Sequence, residues 1–412
     1  MSMEARPFKV REIVSKVIDN RGRNADYYDF EKYPVIDNYM IKNELHPNLN
    51  AATRFLSEEQ FQSFLRGYIY EDDLLMTLVG GIGNVSLAPH SACAIVQNTI
   101  GLSFKTEKCD SYYAYYYFKT IQNSIRNLNR GISQPSVNRE DILGLKIWLP
   151  DIKTQKNIAT VLKSYDSLIE VNNKRIKLLE QMAENLYKEW FVRFRFPGHE
   201  FAEFENGLPA SWRKARIADL VSFLNGFAFK SEDYDDAGRY IVVTIKNVQD
   251  GYFDMSSVER IGFLPSRMPQ YCILKKGDII MSLTGNVGRV CIVSSDGCLL
   301  NQRVCKIESK YPLFAYSFFR QEAVFQMLCN IAYGTAQLNL SPILAGKMRT
   351  ILPPDELLAQ FENKVAELYE AIQNYREQNE TLVKQRDLLL PRLMSGKLEV
   401  LNENQKNAFG RL

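Results

Sequence analysis

Ile158, Leu162, Tyr165, Ile169, Asn172, Ile176, Leu179, Ala183, Leu186 and Trp190 follow one another in alternating steps of four and three residues without a slip. That spacing keeps every member on one narrow stripe of a helix, the pattern of a coiled-coil seam. A second run does the same: Phe361, Val365, Leu368, Ile372, Tyr375, Asn379, Leu382, Arg386, Leu389 and Leu393. Each member stands 203 positions after its counterpart in the first run. Both stripes are narrower than the apolar face of a helix laid on a globular core, so the two helices are expected to pack on each other. Run antiparallel with full overlap, they set Ile158 against Leu393, Ile169 against Leu382, Ile176 against Tyr375 and Trp190 against Phe361. Asn172 then meets Asn379, and Tyr165 faces Arg386, where a ring can carry the guanidinium. A buried amide left unpaired costs about 1–3 kcal/mol, and two facing amides satisfy each other while fixing the register. A parallel pairing sets Asn172 against Tyr375 and loses that match.

The segments between the runs are duplicated too. Asp278–Ile279–Ile280–Met281–Ser282–Leu283–Thr284–Gly285–Asn286–Val287–Gly288–Arg289–Val290 aligns without gaps on the stretch from Asp73 to Val85. Gly334–Thr335–Ala336–Gln337 matches Gly131–Ile132–Ser133–Gln134, and Ile351–Leu352–Pro353 matches Trp148–Leu149–Pro150. The starts differ: Asn225–Gly226–Phe227–Ala228–Phe229–Lys230–Ser231 has no close match in the first copy. The chain therefore reads as one module written twice. Residues 1–150 and 197–353 are α+β globules; 151–196 and 354–412 are long helices, the second with a polar tail. Asp151 or Thr154 caps the first helix and Pro197–Gly198 stops it; Pro391 is expected to end the regular part of the second. The two globules are expected to be related by a pseudo-twofold axis, with Asp73 and Asp278 in like surroundings.

Composition bounds the function. The 412 residues are too many for one core, and 46% hydrophobic with 24% charged residues is ordinary for globular domains. A net charge of +3 permits nucleic acid as a partner without demanding it. No apolar run has the length of a membrane span, and the first ten residues lack the apolar core of a signal peptide. Seven cysteines form no CxxC pair, and the evenly spaced Cys291, Cys298 and Cys305 have no histidine near them. They are expected to be reduced, mostly buried thiols of a cytosolic protein, with no metal site.

A catalytic centre is likewise not expected. Gly80–Gly81–Ile82–Gly83 and its copy Gly285–Asn286–Val287–Gly288 are explained by a β-hairpin turn. Asp355 with Glu362–Asn363–Lys364 imitates a nuclease cluster only loosely and lies in a coiled-coil helix; His46, His90 and His199 are scattered and lack a paired nucleophile. The run Tyr112, Tyr113, Tyr115, Tyr116, Tyr117, Phe118 has the apolar counterpart Leu313, Phe314, Tyr316, Phe318, Phe319, so it reads as a core helix rather than a base-stacking platform.

Two related but unequal modules held apart by a rod suit a DNA site made of two different halves separated by a gap. Candidate DNA contacts are Arg21, Arg23, Asn24 and Asn84 in the first module. In the second they are Lys230, Lys246, Asn247, Asn286, Arg289, Gln302 and Arg303.

The order of motifs resembles the specificity subunit of a type I restriction–modification enzyme. The residues that carry the resemblance are Leu149–Pro150 with Gln155 and Ile158–Ala159, and the matching Leu352–Pro353 helix. Gly226–Phe227–Ala228–Phe229–Lys230–Ser231, Gly334–Thr335–Ala336–Gln337 and the ending Pro391–Arg392–Leu393–Met394–Ser395–Gly396–Lys397–Leu398 add to it. The first module lacks the Gly-Phe-Ala-Phe-Lys-Ser run, at a place where target recognition domains of this family are expected to vary. The resemblance implies a non-catalytic cytoplasmic chain whose globules read DNA and whose helices dock two methyltransferase subunits, with restriction subunits joined through them. S-adenosylmethionine, ATP and Mg2+ would be used by those partners and not bound by this chain. A specificity chain of a related bipartite-site restriction system, or a coiled-coil scaffold without a DNA role, are the alternatives.

Overall fold

The computed structural model describes residues 4–22, 26–29, 31–95, 97–131, 135–334 and 338–400. The chain divides into two compact units: Met1–Asn172 with Gln378–Leu412, and Asn173–Glu377. Each unit holds one globule and a stretch of both long helices, which run over Ile152–Tyr187 and Asp355–Met394.

In the first unit, Arg6–Lys9 pairs antiparallel with Lys146–Leu149, so the start and end of the globule close on each other. Between them lies a four-stranded antiparallel sheet in the order Val14–Ile18, Thr99–Phe104, Leu74–Thr77, Val85–Leu87. A smaller sheet sets Tyr33–Ile36 between Phe55–Leu56 and a parallel partner, Ala94–Ile95. The second unit repeats every one of these pairings. Arg213–Arg216 pairs with Arg349–Leu352; Ser222–Asn225, Val304–Glu308, Ile279–Ser282 and Val290–Ile292 form the four-stranded sheet; Tyr240–Val243 lies between Glu259–Ile261 and the parallel Leu299–Leu300. The duplication thus extends to the divergent starts, where the sequences do not align.

The central strands are apolar at consecutive positions because both of their faces are covered. Leu74 and Met76 join the core under the helix Ser111–Thr120, while Leu75 enters a second core with Ile18, Ile36 and Ile95. Ile279 and Met281 against Ile280 repeat this alternation in the second unit. Asp73 and Asp278 have like surroundings. Each carboxylate accepts the amide of the residue three before it, Tyr70 at 2.9 Å and Lys275 at 2.8 Å. Tyr113, Tyr115, Tyr116 and Phe118 are fully buried, as a core helix requires. Six of the seven cysteines are buried free thiols and Cys329 is half-buried.

Within each unit the two long helices run antiparallel. Ile158 and Leu162 share a core with Leu390 and Leu393 in the first. In the second, the Trp190 and Phe361 ring centroids lie 5.8 Å apart. All twenty seam positions are buried or half-buried. The Asn172 side-chain amide donates to the Asn379 carbonyl oxygen at 3.0 Å, as the full-overlap register places it.

Three details differ from the sequence expectation. The Arg386 guanidinium pairs with Asp166 and Asp387 instead of lying on the ring of Tyr165. Asp166 stands just beside the stripe, where a seam pattern does not register it. Pro391 does not end the second helix, because burial of Leu390 and Leu393 on the core carries the helix to Met394. The first helix gives way after Tyr187 to a wide π turn, Lys188–Val192, that delivers Trp190 and Phe191 into the core of its globule.

Candidate nucleic-acid interface

One end of each four-stranded sheet gathers loops from three parts of the chain. In the second unit the hairpin after Ser282 turns on Gly285 and Gly288, both at positive φ, 69° and 79°. Glycine adopts that conformation at no steric cost. The Ser282 hydroxyl donates to the Asn286 carbonyl and the Gly288 amide to the Ser282 carbonyl. The turn leaves the Asn286 side chain exposed. The Leu283 amide donates to the Arg303 carbonyl at 2.9 Å, which brings 301–303 beside the turn. The Gln302 amide in turn donates to the Phe227 carbonyl at 2.9 Å. A Cβ on Gly226 would stand 2.1 Å from the Asn301 carbonyl oxygen, so this approach requires glycine. The Leu340 amide donates to the Leu283 carbonyl at 2.8 Å, and Tyr333, 60% exposed, pairs with Asn339. Gln302 and Arg303 are exposed at this edge, and among the described residues their side chains make no hydrogen bond or ion pair.

The first unit builds the same edge with other side chains. The Thr77 hydroxyl donates to the Gly81 carbonyl, Gly83 N–H to the Thr77 carbonyl at 2.9 Å, and Leu78 N–H to the Asn98 carbonyl at 2.7 Å. Gln97 and Asn98 occupy the places of Gln302 and Arg303 and hold positive φ of 38° and 55°. Non-glycine residues in that region are uncommon and concentrate at functional positions. The sequence reading passed over this pair, although Gln97 precedes Gln302 by the same 205 positions that separate Asp73 from Asp278.

The structure sorts the remaining candidates. Lys230 and Lys246 are exposed and, among the described residues, their ammonium groups meet surface acids, Glu232 at 3.1 Å and Glu259 at 3.4 Å, contacts weak enough to exchange for a phosphate. Arg289 is half-buried and donates to Gln249 at 2.7 Å. Arg21 forks onto Asp19 at 2.9 and 2.7 Å, and Arg139 reaches the same carboxylate at 3.5 Å. Burial would raise the Asp19 carboxyl, but the Arg21 hydrogen bonds and the two cations hold it below its ordinary value.

One candidate is corrected. Asn247 is 1% exposed; its amide donates to the carbonyls of Asp254 and Ser257 while its oxygen accepts from Thr244, so it clamps a loop and cannot reach DNA. Asn84 donates to the Ile41 carbonyl at 3.0 Å and accepts from Gln122 at 2.6 Å, which ties the turn to its neighbours. Arg23 and Asn24 lie outside the described residues.

The acids that imitated a nuclease cluster are also engaged. Asp355 pairs with Lys310 at 2.6 Å. Glu362 accepts the Leu313 and Phe314 amides, both at 2.9 Å, capping the helix Pro312–Phe319; burial raises its carboxyl against the pull of those two bonds. Among the described residues no three His, Cys, Asp or Glu side chains are placed to hold a metal ion. No helix among them is long and apolar enough to cross a membrane.

Comparison with known proteins agrees with this arrangement. Residues 6–181 and 209–356 match the family described as the type I restriction modification DNA specificity domain. The chain is 25% identical over 353 residues to the MjaVIII type I restriction enzyme specificity subunit of Methanocaldococcus jannaschii, covering 82% of this chain and 81% of that one. It is 28% identical over 352 residues to the MjaIX specificity subunit of the same organism, covering 78% of each. Among solved structures, the S subunit of a type I restriction-modification system from M. genitalium shares the fold, with a TM-score of 0.56 at 15% identity over 95% of this chain and 96% of that one.

Proposed function

The chain belongs to the type I restriction–modification DNA specificity family, and we propose that its two globules read the two unlike halves of one bipartite DNA site. Its role is DNA sequence recognition within such a system, and that role is non-catalytic. In this reading residues 1–150 and 197–353 are the target recognition domains, and 151–196 and 354–412 the spacer helices with a C-terminal tail. The helices dock two methyltransferase subunits, and restriction subunits join through them. Those partners bring S-adenosylmethionine, ATP and Mg2+, and the complex works in the cytoplasm.

The observation that carries this reading is the pair of equivalent sheet edges. Equivalent hydrogen bonds beside equivalent glycine turns hold Gln97–Asn98 in the first unit, half-buried and at positive φ, and Gln302–Arg303 in the second, exposed and without positive φ. A shared scaffold with different side chains is what an asymmetric site calls for. Arg303 has the fork that matches guanine in the major groove, and glutamine and asparagine amides match adenine. Lys230 and Lys246 suit phosphates, which position a reader without specifying sequence.

The test is to sequence the methylome of cells with and without the protein, since the methylated motif that disappears is the target. Arg303→Ala should relax one position of that motif, whereas Lys230→Ala should weaken binding to all sequences and lower the salt slope by about one. No lost motif, or methylation by the purified chain with S-adenosylmethionine alone, would overturn the reading.

A further inference from the structure

The two-stranded ribbon that closes each globule sets cations side by side. Arg216 stands opposite Arg349 in the second unit, and Lys9 opposite Lys146 in the first. Directly opposed residues of an antiparallel pair project to the same face with Cβ atoms about 5 Å apart, and like charges there repel. The repulsion is kept in both copies although the residues themselves have changed. Lys214, two positions along the strand from Arg216, adds a third exposed cation to the same face. Among the described residues no acid pairs with Lys214, Arg216 or Arg349.

In the second unit these cations rim a cavity of about 1050 Å³. Its floor is apolar: Phe191, Phe194, Trp212, Phe318 and Met327. The Trp212 indole nitrogen is buried in that wall without a hydrogen-bond partner, and a buried donor left unmade is costly. Asp219, the one carboxylate in the lining, is already engaged by the Arg216 backbone amide at 2.8 Å. The groove therefore offers three unpaired positive charges and an aromatic bed edged by Met327, 39% exposed.

We infer that this groove docks an acidic, apolar-tipped polypeptide segment of the methyltransferase partner. Carboxylates of the segment settle on Arg216, Arg349 and Lys214. An apolar side chain enters against Phe194, Phe318 and Met327. Charge complementarity selects the acid, and the floor selects its neighbour; aromatic residues, Met and Arg are the types enriched where proteins meet. Duplex DNA supplies the negative charge but no apolar group to fill the floor. Single-stranded DNA would need open ring faces, and the Trp212 ring is packed against Phe191, Phe194 and Phe196 at 6.0, 5.2 and 5.9 Å. The inference rests on the proposed role as a specificity subunit and adds, to the helices, a surface of the second globule that the partner uses.

The test measures association of the full-length chain with the purified methyltransferase subunit of its own system, and separately with a mixed-sequence duplex. Arg216→Glu with Arg349→Glu should weaken subunit association at least ten-fold and leave duplex binding unchanged. Arg216→Gln with Arg349→Gln, which keeps side-chain size if the reversal fails to fold, should weaken association less and flatten its salt dependence. Met327→Lys should weaken association with all three cations intact. Unchanged association in the Gln pair and in Met327→Lys would overturn the inference. So would a loss confined to duplex binding, which would give the cations to DNA phosphates, or a loss confined to self-association, which would give the groove to a second copy. If the wild-type chain bound no methyltransferase subunit, the specificity-subunit reading itself would fail; wild-type binding with indifferent variants sinks this inference alone.

Discussion

At one layer of the paired helices the two units solve the same packing problem with opposite materials. In the first, Asp166 on the first helix accepts the Tyr116 hydroxyl from the globule and pairs with Arg386 on the second helix. The equivalent positions, 203 residues away in each direction, are Tyr369 and Ala183. There the Tyr369 hydroxyl meets Ser317 of the globule at 3.3 Å, its ring lies edge-on to Tyr316 at 5.3 Å, and Ala183 is fully buried. Ser317 occupies the place of Tyr116, so the large and small partners have changed sides. A buried hydroxyl is satisfied by one hydrogen bond, whereas a buried carboxylate also requires a cation. That requirement explains why an arginine stands in an apolar seam. The duplicated backbone was kept while the contact tying each globule to its helices became non-interchangeable.

The largest expected effect attacks this layer directly. Arg386→Leu leaves Asp166, whose side chain is 8% exposed, without its cation. Stranding a buried charge costs about 3–5 kcal/mol. Hydrogen exchange under mild denaturant should show amides of the first unit opening earlier and those of the second unchanged. Transplanting the second unit's solution, with Tyr116→Ser, Asp166→Tyr and Arg386→Ala together, should recover most of the loss, because replacing a buried ion pair by packed side chains is often neutral. A triple variant as unstable as the single one would show that the two layers are not equivalent.

A second contrast adjoins the first. Lys119 donates to the Asn43 carbonyl at 3.0 Å and to the Tyr115 hydroxyl at 3.3 Å; its counterpart Arg320 contacts the Tyr316 hydroxyl at 3.5 Å and Asp250 at 3.4 Å. Burial, followed by the charge of Arg386, brings the Lys119 ammonium down to about 8, against the pull of Asp166, Asp387 and Glu44. Between about pH 8 and the ordinary lysine value the unfolded chain then binds more protons than the folded one, so stability from this group rises with pH. The cost of holding the charge is fully present below about pH 8. Lys119→Met removes that cost, and its stability relative to wild type should fall by roughly 2 kcal/mol as pH rises from about 7 to about 9.5. An arginine stays charged throughout, so Arg320→Met should show no such pH dependence. A relative stability of Lys119→Met that did not change with pH would put the lysine in a wetter site.

The duplication and the seam were legible because periodicity and a constant offset are properties of the sequence itself. Ile158 to Trp190 and Phe361 to Leu393 carry their helical face in their spacing, and consecutive Leu74, Leu75 and Met76 imply a strand covered on both sides. Individual polar residues were less legible. An asparagine in a turn reads the same whether it meets solvent, as Asn286 does, or is spent inside the fold, as Asn247 is. The partner of Arg386 was missed because Asp166 lies one step off the stripe, so a one-dimensional pattern handed the guanidinium to Tyr165. Gln97–Asn98 carried a signal, the offset of 205 from Gln302–Arg303, but their loop geometry is visible only in three dimensions.

A smaller effect separates the hydroxyl from the ring in the second unit. Tyr369→Phe keeps the edge-on contact with Tyr316 and deletes one hydrogen bond, at a cost of about 1 kcal/mol. The loss should appear in the melting of the second unit's amides alone. A cost near that of Arg386→Leu would mean that Tyr369 anchors more than Ser317.

The smallest expected change in energy tests where register is encoded. The first unit's stretch of the seam holds the Asn172–Asn379 layer and the Arg386 pair, while the second's is Ile176, Leu179, Ala183, Leu186 and Trp190 against Phe361, Val365, Leu368, Ile372 and Tyr375. Apolar layers accept one another after a slip of one heptad, whereas an amide slipped onto a leucine loses its partner, so the polar layers are the ones that discriminate between registers. Replacing both asparagines with leucine removes a mutually satisfied pair and adds apolar contact, so stability should stay within about 1 kcal/mol of wild type or rise. Slipped pairings should nevertheless appear, read as methylated motifs with altered gaps between their halves beside the native one. Arg386–Asp166 still opposes the slip in that variant, so adding the Tyr116→Ser, Asp166→Tyr, Arg386→Ala exchange should enlarge the slipped fraction. Only native gaps in both variants, together with a stability loss in the leucine pair, would show that the amides hold the helices together without choosing how they align.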